Sequence, residues 1–296
     1  CLVILNTRRD AANLYLSLKD YFERNPTEGE LFHLSTLMYP KHRLQVIEYI
    51  KNHNQEKIIC ISTQLIEAGV DISFKSVIRV ISGLDSIIQA AGRCNRHGEE
   101  PNGKDVYIVN LHKENLQNLP EIKAGADVTY NILANNPSDL MNEIQNFYKN
   151  YYYREKNKMS YPTDYGSIYE LLSHNDRSFK NMLNYGNDNE LFLRQAFKTA
   201  SDSFYVIDQR GVGVVVSNDE SNKLISEYIY SNLEKKNAIL RKLSEYSVTL
   251  YSYQLNELMY YKALTFVNEE IYVLDSYFYD DKLGVVFDIK HDSPII

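Results

Sequence analysis

The chain has 296 residues, of which 44% are hydrophobic and 24% are charged, and it carries a formal net charge of −7. This composition is typical of a globular protein and excludes a disordered or membrane-embedded chain, and the length predicts more than one domain. No apolar run approaches the roughly 18 residues of a membrane span, and the cysteines lack the spacing of metal ligands or of a disulfide framework. We therefore expect a cytoplasmic protein with no membrane partner. The first residue, Cys1, opens an apolar run typical of a buried strand, from which we expect that the N-terminus was cut.

Charge is distributed unevenly along the chain. Residues 1–115 contain 14 Lys and Arg against 14 Asp and Glu, and residues 116–296 contain 18 against 25, so the second part carries the whole net charge. Non-specific binding of nucleic acid depends on neutralising many phosphates. The acidic second part therefore indicates that any contact with DNA is local.

Short apolar runs alternate with amphipathic stretches up to about residue 112. The runs are LVILN (2–6), LFHLS (31–35), KIICIS (57–62), SVIRVIS (76–82) and DVYIVNL (105–111). Between the first two runs, Ala11, Leu14 and Leu18 recur at helical spacing, and Pro40 suits the first turn of a second helix. Strands that alternate with helices predict an α/β fold with a parallel, doubly wound sheet. In such sheets ligands bind at the carboxyl ends of the strands, so functional residues are expected just after each run.

The rest of the chain predicts a helical linker and a mixed C-terminal domain. Residues 116–158 predict two helices with a break at residues 135–137. Beyond residue 160 the sequence predicts a helix in LFLRQAFKTASDSF, a hairpin of FYVID and VGVVVS turned at Gly211, and one or two helices in residues 221–246. Further strands are predicted in YSVTLYS, EIYVLDSY and LGVVFDI.

The stretch DSIIQAAGRCNRHG predicts a phosphate-facing helix. On a helix that begins at Asp85 or Ser86, the side chains of Gln89, Arg93 and Arg96 recur at i, i+4 and i+7 and lie on one face. Guanidinium groups match phosphate oxygens and can stabilise the charge that develops on a transferred phosphoryl group. The alternative is a solvated polar face.

The stretch STQLIEAGVDISF follows a predicted buried strand. The hydroxyl of Thr63 is suited to a backbone phosphate, Gly69 permits a tight turn close to a ligand, and the carboxylate of Asp71 can accept from a ribose hydroxyl. Taken alone, EAGVD is also compatible with an ordinary turn followed by a capping acid.

Together, the two stretches resemble motifs five and six of superfamily 2 helicases. Four segments are most similar to the CRISPR-associated helicase-nuclease of type I systems: ILNTRRDA, FHLSTLMYPKHR, STQLIEAGVDISF and DSIIQAAGRCNRHGE. The similarity is strong up to residue 112 and moderate beyond residue 160. Ala90 departs from the helicase pattern, which often has Arg at that position. The resemblance implies a RecA-like second motor domain, a helical linker and a smaller α+β C-terminal domain.

The resemblance also implies roles for individual residues. Gln89, Arg93 and Arg96 are expected to face the triphosphate of ATP, with Arg96 as the arginine finger, and Gly69 and Asp71 are expected on the ribose side. Five residues are expected to hold phosphates of one DNA strand: Asn6, Thr7, Ser35, Thr36 and Thr63.

The implied protein is an ATP-dependent single-stranded DNA translocase of CRISPR interference. The motor domain is expected in residues 1–115, the linker in 116–158 and an accessory lid domain in 159–296. Its partners are expected to be single-stranded DNA, the RNA-guided surveillance complex, and the first motor and nuclease domains, of which the first motor domain holds ATP with magnesium. GEEPNGKD, which includes Gly98 and Lys104, lacks the Ser or Thr and the following helix of a phosphate-binding loop, so the chain is expected to be inactive alone.

Two other interpretations are open. One is a stand-alone, non-catalytic subunit that binds DNA or a protein through its acidic, Tyr-rich second half. The other is a different superfamily 2 translocase, which would share the first domain alone. Within the second half, Tyr151, Tyr152 and Tyr153 are candidates for stacking on bases, although Tyr more often packs in a core with its hydroxyl at the edge.

Overall fold

The protein is described from a computed structural model. The structure describes residues 1–25, 29–53, 57–98, 100–112, 114–135, 137, 139–176, 194–205 and 211–287. Within these ranges, no helix combines the length and the apolar character needed to cross a bilayer.

The first sheet is parallel and has five strands. These are β1 (Leu2–Ile4), β2 (Glu30–Leu34), β3 (Ile58–Ser62), β4 (Val77–Val80) and β5 (Val106–Val109). Their order in the sheet is β2-β3-β1-β4-β5, and every neighbouring pair is parallel. The inner strands are covered on both faces, which explains why they read as continuous apolar runs. The predicted α/β fold with a parallel sheet is confirmed.

Three helices belong to the same region: α1 (Arg8–Arg24), α2 (Pro40–Asn52) and α3 (Leu84–Ala91). The side chain of Thr7 accepts a hydrogen bond from the backbone N–H of Asp10 and so caps α1. Pro40 is at the start of α2, as predicted, because its missing N–H is not needed in the first turn.

The parallel arrangement gives this sheet two distinct edges. The carboxyl edge contains the residues that directly follow the strands, among them Asn6, Ser35, Thr63 and Ser82. The amino edge contains the residues that precede the strands, such as Ser76 and Asp105.

The middle of the chain contains α4 (Pro120–Ala134) and α5 (Ile144–Glu155), which confirms the two predicted helices and the break between them. The strands β6 (Pro162–Thr163) and β7 (Gly166–Ser167) and the helices α6 (Ile168–Leu172) and α7 (Phe197–Ser203) follow. The chain forms two compact units, one of residues 1–144 and 210–296 and the other of residues 145–209. The division at residues 115 and 158 stays a prediction.

The second sheet has four strands, in the order β10-β11-β8-β9. They are β8 (Val212–Val216), β9 (Ser247–Leu250), β10 (Leu264–Val267) and β11 (Ile271–Leu274), accompanied by α8 (Asp219–Tyr230), α9 (Leu233–Leu243) and α10 (Ser252–Tyr260). Strands β8 and β11 are parallel, and the other pairs are antiparallel. The predicted helices and strands of this region are confirmed, but the hairpin at Gly211 includes residues 206–210, which lie outside the described residues.

A small hairpin joins the second sheet to the first. It consists of β12 (Tyr279–Asp280) and β13 (Gly284–Val285). The backbone N–H of Val285 donates to the carbonyl of Leu37 at 2.9 Å. Gly284 has φ +80°, and a Cβ there would lie 2.4 Å from the same carbonyl oxygen, so only glycine permits this approach. The hairpin therefore packs directly on the β2–α2 loop, which contains Ser35 and Thr36.

Candidate functional site

The prediction that Gln89, Arg93 and Arg96 lie on one helix is wrong. Helix α3 begins at Leu84, with Gly83 as its N-cap, and ends at Ala91. Gln89 is exposed on this helix, whereas the two arginines follow in an irregular turn.

A long-range contact explains why α3 ends early. The backbone N–H of Phe74 donates to the carbonyl of Arg93 at 2.9 Å, and the N–H of Asn95 donates to the carbonyl of Phe74 at 3.0 Å. This bridge takes the chain out of helical geometry directly after Gly92, the C-cap residue. The turn that contains both arginines is therefore fixed by a segment about 20 residues earlier in the sequence.

The arginine turn lies at the amino edge of the first sheet. Cys94 Sγ lies 3.5 Å from the carbonyl oxygen of Asp105, the residue that precedes β5. The carboxyl edge, where functional residues were expected, is where α3 begins. The expected location is therefore wrong for Arg93 and Arg96, because α3 spans the length of the short strands and delivers them to the opposite edge.

Arg93 is committed to internal contacts. Its side chain is buried, and its two terminal nitrogens donate to the carbonyls of Val70 and Glu67, both at 2.6 Å. These bonds fasten the loop that contains Gly69 and Asp71 to the arginine turn. In this arrangement Arg93 shapes the candidate nucleotide side and has no exposed face with which to contact a triphosphate.

Arg96 and Asp71 form an exposed ion pair on the same side. Arg96 Nε lies 3.0 Å from one carboxylate oxygen of Asp71, and Lys51 Nζ lies 3.1 Å from the other. The hydrogen bond from Lys51, helped by the charges of Lys51 and Arg96, lowers the pKa of Asp71. The Arg96 side chain is 36% exposed. Gly69 has φ +73°, and a Cβ there would meet no atom within 4 Å, so the loop is open to solvent. We call Gly69, Asp71, Gln89 and Arg96 the nucleotide-side group.

At the carboxyl edge, Asn6 is buried and bonded internally. Its side-chain N–H groups donate to the carbonyl of Ile81 at 2.9 Å and to the carboxylate of Glu114 at 3.1 Å. Its Oδ1 accepts from Arg79 at 2.8 Å. Both polar atoms of the side chain are thus engaged, so Asn6 is placed to hold the edge in shape.

The other four residues of the expected DNA group also lie at the carboxyl edge, but they differ in exposure. Thr36 is exposed and Thr7 is half-buried, whereas Ser35 and Thr63 are buried. The Ser35 hydroxyl accepts from the backbone N–H of Leu37 at 3.2 Å, and the Thr7 hydroxyl donates to Asp10 at 2.6 Å. We call Asn6, Thr7, Ser35, Thr36 and Thr63 the DNA-side group.

Sequence reasoning missed the most deeply buried charge of the first sheet, Arg79 on β4. Its side chain is fully buried, and Nε lies 2.8 Å from Oε1 of Glu67, which is also buried. Ser86 accepts from Arg79 Nη2 at 2.9 Å and donates to the second oxygen of Glu67 at 2.7 Å. The signal was present, because a charged residue within an apolar strand requires a buried partner.

Burial works against both charges of this pair. Desolvation raises the pKa of Glu67, and the neighbouring Arg79 and Ser86 oppose that shift. Desolvation also lowers the pKa of Arg79, and Glu67 opposes that shift. The attraction between the two charges, together with the hydrogen bonds to Ser86 and Asn6, therefore opposes the cost of burial.

Residues 1–99 match the family model described as "CRISPR-associated nuclease/helicase Cas3, C-terminal". The predicted resemblance is confirmed. Over 61 residues the chain is 54% identical to the CRISPR-associated nuclease/helicase Cas3 of Haloferax volcanii, and over 136 residues it is 31% identical to that of Methanothermobacter thermautotrophicus. These matches cover 20% and 45% of the chain, and 6% and 16% of the two relatives.

Solved structures show the same fold over nearly the whole chain. The T. fusca Cas3 structure with AMPPNP matches with a TM-score of 0.57 at 14% identity, covering 93% of the chain and 35% of that structure. A chain of a CRISPR RNA-guided surveillance complex in a pre-nicking state matches with a TM-score of 0.52 at 13% identity, covering 93% and 37%. The chain thus spans little more than a third of the length of these two structures.

Proposed function

We propose that this chain is the C-terminal part of an ATP-dependent, single-stranded DNA translocase that acts in CRISPR interference. The observation that carries the proposal is the pairing of the two motif-bearing segments at the amino edge. Arg93 bonds the loop of residues 67–70, and Arg96 contacts Asp71, so one exposed surface combines a guanidinium, a carboxylate and an open glycine turn.

The nucleotide-side group is suited to the outer face of an ATP held mainly by another motor domain. The contact between Arg96 and Asp71 uses Nε, and in the described part of the chain the terminal guanidinium nitrogens make no hydrogen bond. Those nitrogens can reach across a cleft toward a phosphate, which makes Arg96 the arginine finger of the proposal. ATP, bound with magnesium by the first motor domain, supplies the free energy for movement.

The DNA-side group would follow one strand of DNA along the carboxyl edge. Thr36 has the exposure that phosphate contact requires, Thr7 is half-buried, and Thr63 is buried at the same edge. Ser35 and Asn6 hold the loops on which that contact depends. The acidic balance of residues 116–296 agrees with a narrow contact rather than a broad basic surface.

ATP binding is coupled to DNA binding if the nucleotide-side group and the DNA-side group lie on one rigid domain. A ligand that contacts two domains favours the arrangement in which both contacts are made. Closing the cleft over ATP would then move the DNA-side group together with Arg96. Recruitment to the RNA-guided surveillance complex, and the nuclease activity of the whole protein, belong to the same proposal.

Arg96→Ala in the full-length protein tests the proposal. We expect ATP hydrolysis to slow by roughly 10³- to 10⁵-fold, which corresponds to about 4 to 7 kcal/mol of barrier. The KM for ATP should change far less, because the finger acts mainly on the charge of the transition state. The measurement is steady-state hydrolysis with saturating single-stranded DNA.

Arg24→Ala is the matched control, since Arg24 is exposed at the end of α1 and belongs to neither group. It should hydrolyse ATP at the wild-type rate. Near-normal turnover by the Arg96 variant would remove Arg96 from the mechanism.

A further inference from the structure

The buried guanidinium of Arg79 lies between the nucleotide-side and DNA-side groups. Arg79 contacts Glu67 through Nε at 2.8 Å, Asn6 Oδ1 through Nη1 at 2.8 Å and Ser86 through Nη2 at 2.9 Å. Nη1 also donates to the carbonyl of Val80 at 2.7 Å. The three guanidinium nitrogens therefore contact three different segments: the loop after β3, the end of β1 and helix α3.

The two ends of this network belong to the two candidate groups. At one end, the carbonyl of Glu67 accepts from Arg93, which fastens the loop of Gly69 and Asp71. At the other end, Asn6 is a member of the DNA-side group and directly precedes Thr7. Glu67, Arg79 and Asn6 thus form a continuous path of bonds from the amino edge to the carboxyl edge.

The stability of the fold does not by itself explain why the guanidinium of Arg79 is buried. A buried ion pair loses about as much hydration as it gains in attraction, and apolar side chains of similar size are often equally stable. What a guanidinium offers is a rigid fork that fixes several acceptors relative to one another. The position of Asn6 is therefore tied to that of the loop after β3.

We propose that Arg79 is a positioning residue that couples nucleotide binding to DNA binding. It does so by holding Glu67, Ser86 and Asn6 in one fixed geometry, so that a shift of the loop containing Gly69 and Asp71 is transmitted to the DNA-side edge. The inference rests on the proposed function. It assigns the coupling to a residue that contacts neither ligand.

The test is a linkage measurement on the full-length protein. The Kd for a labelled oligodeoxythymidine is measured with and without a saturating non-hydrolysable ATP analogue, and the ratio of the two Kd values is the coupling factor. Allosteric coupling factors are typically about 5- to 150-fold, and thermodynamic reciprocity requires that the oligonucleotide change the affinity for the analogue by the same factor.

Arg79→Lys keeps the positive charge beside Glu67 but cannot present a planar fork to Asn6 and Ser86 together. We expect its coupling factor to fall to within about twofold of one, while the Kd for DNA without nucleotide stays within about twofold of wild type. Ser86→Ala, which removes only the hydroxyl that bridges Arg79 and Glu67, should give an intermediate factor.

Ser221→Ala is the matched control. Its hydroxyl is buried and donates to the carbonyl of Val216 at 2.7 Å, but it lies in the C-terminal region, away from the network. Its coupling factor should equal that of the wild type. If all three variants lose coupling alike, the effect is general destabilisation and the proposal is overturned.

A wild-type coupling factor in Arg79→Lys would also overturn it. If Arg79→Lys does not fold, the test is the coupling factor of Ser86→Ala. A wild-type coupling factor in that variant rejects the proposal. A wild-type protein that binds neither probe overturns the proposed function, and this inference with it. If the wild type and the Arg79 and Ser86 variants all show the same coupling factor, this inference is overturned and the proposed function is not.

Discussion

The two sheet regions of the molecule bury different kinds of side chain. Among the described residues, the first region, residues 1–112, buries the charged groups of Glu67, Arg79 and Arg93 together with several polar ones. The C-terminal region, residues 211–287, buries the polar Ser221 and Gln254, and no charged side chain is buried in its described part. Burying a charge is unfavourable unless it is paired and hydrogen-bonded. The first region therefore has internal contacts that apolar packing does not require, and these contacts surround the candidate site.

The sharpest test of this contrast is the removal of one partner of the buried pair. Glu67→Leu leaves the guanidinium of Arg79 inside the first region without its carboxylate. We expect a loss of about 3 to 5 kcal/mol, as is usual for an uncompensated buried charge. Chemical unfolding followed by circular dichroism measures it.

The double variant Glu67→Leu with Arg79→Met is the control. It removes both charges, and it should be less destabilised than Glu67→Leu alone, because apolar replacement of a whole pair is often neutral. If the losses in the single variants Glu67→Leu and Arg79→Met simply add in the double variant, the two charges do not behave as a unit.

Much of the fold was predictable because its signals are local. Each strand of the first sheet is a short apolar run, α1 agrees with the helical spacing of Ala11, Leu14 and Leu18, and α2 starts at Pro40, which suits a first helical turn. The order of the strands was not predicted, since it depends on pairing between β1 and the distant β3 and β4.

The site was predicted less well because its geometry depends on long-range contacts. Gln89, Arg93 and Arg96 have helical spacing in the sequence, but the bridge between Phe74 and Cys94 ends the helix first. Gly92 was a visible stop signal, since glycine often follows the last turn of a helix. The burial of Arg93 could not be read from the sequence, because its acceptors are backbone carbonyls.

The C-terminal region should respond to loss of apolar volume. Leu274 on β11 is fully buried among valines and leucines of the second sheet. We expect Leu274→Ala to lower the free energy of unfolding by about 2 to 5 kcal/mol, since it removes a packed side chain and leaves a cavity. Chemical unfolding again provides the measurement.

Leu240→Ala is the matched control, because Leu240 on α9 is 39% exposed, whereas Leu274 is fully buried. Its effect should stay within about 0.5 kcal/mol. In the full-length protein, Leu274→Ala should leave the coupling factor between nucleotide and DNA unchanged. A changed factor would show that the second sheet takes part in coupling together with the first region.

The smallest expected effect concerns His33, which lies where the two regions meet. Its Nδ1 lies 3.2 Å from the carbonyl oxygen of Lys282, so this nitrogen bears the proton and donates. Nε2 is buried, and no hydrogen-bond partner for it occurs in the described part of the chain. Burial lowers the pKa of His33 below its usual 6.5, although the carbonyl of Lys282 opposes the shift. The folded protein thus resists protonation of this ring.

Because the folded-state pKa lies below the unfolded one, the contribution of His33 to stability is complete above the unfolded value of 6.5 and declines as the pH falls below it. We expect the denaturant concentration at the unfolding midpoint to decrease as the pH is lowered from about 7 to 5. The decrease should be smaller in His33→Gln, which can still donate to Lys282 but does not titrate. His112→Gln, at an exposed position after β5, should reproduce the wild-type slope. Equal slopes in all three proteins would mean that protonation of His33 is accommodated, and that contact between the two regions does not depend on its neutral form.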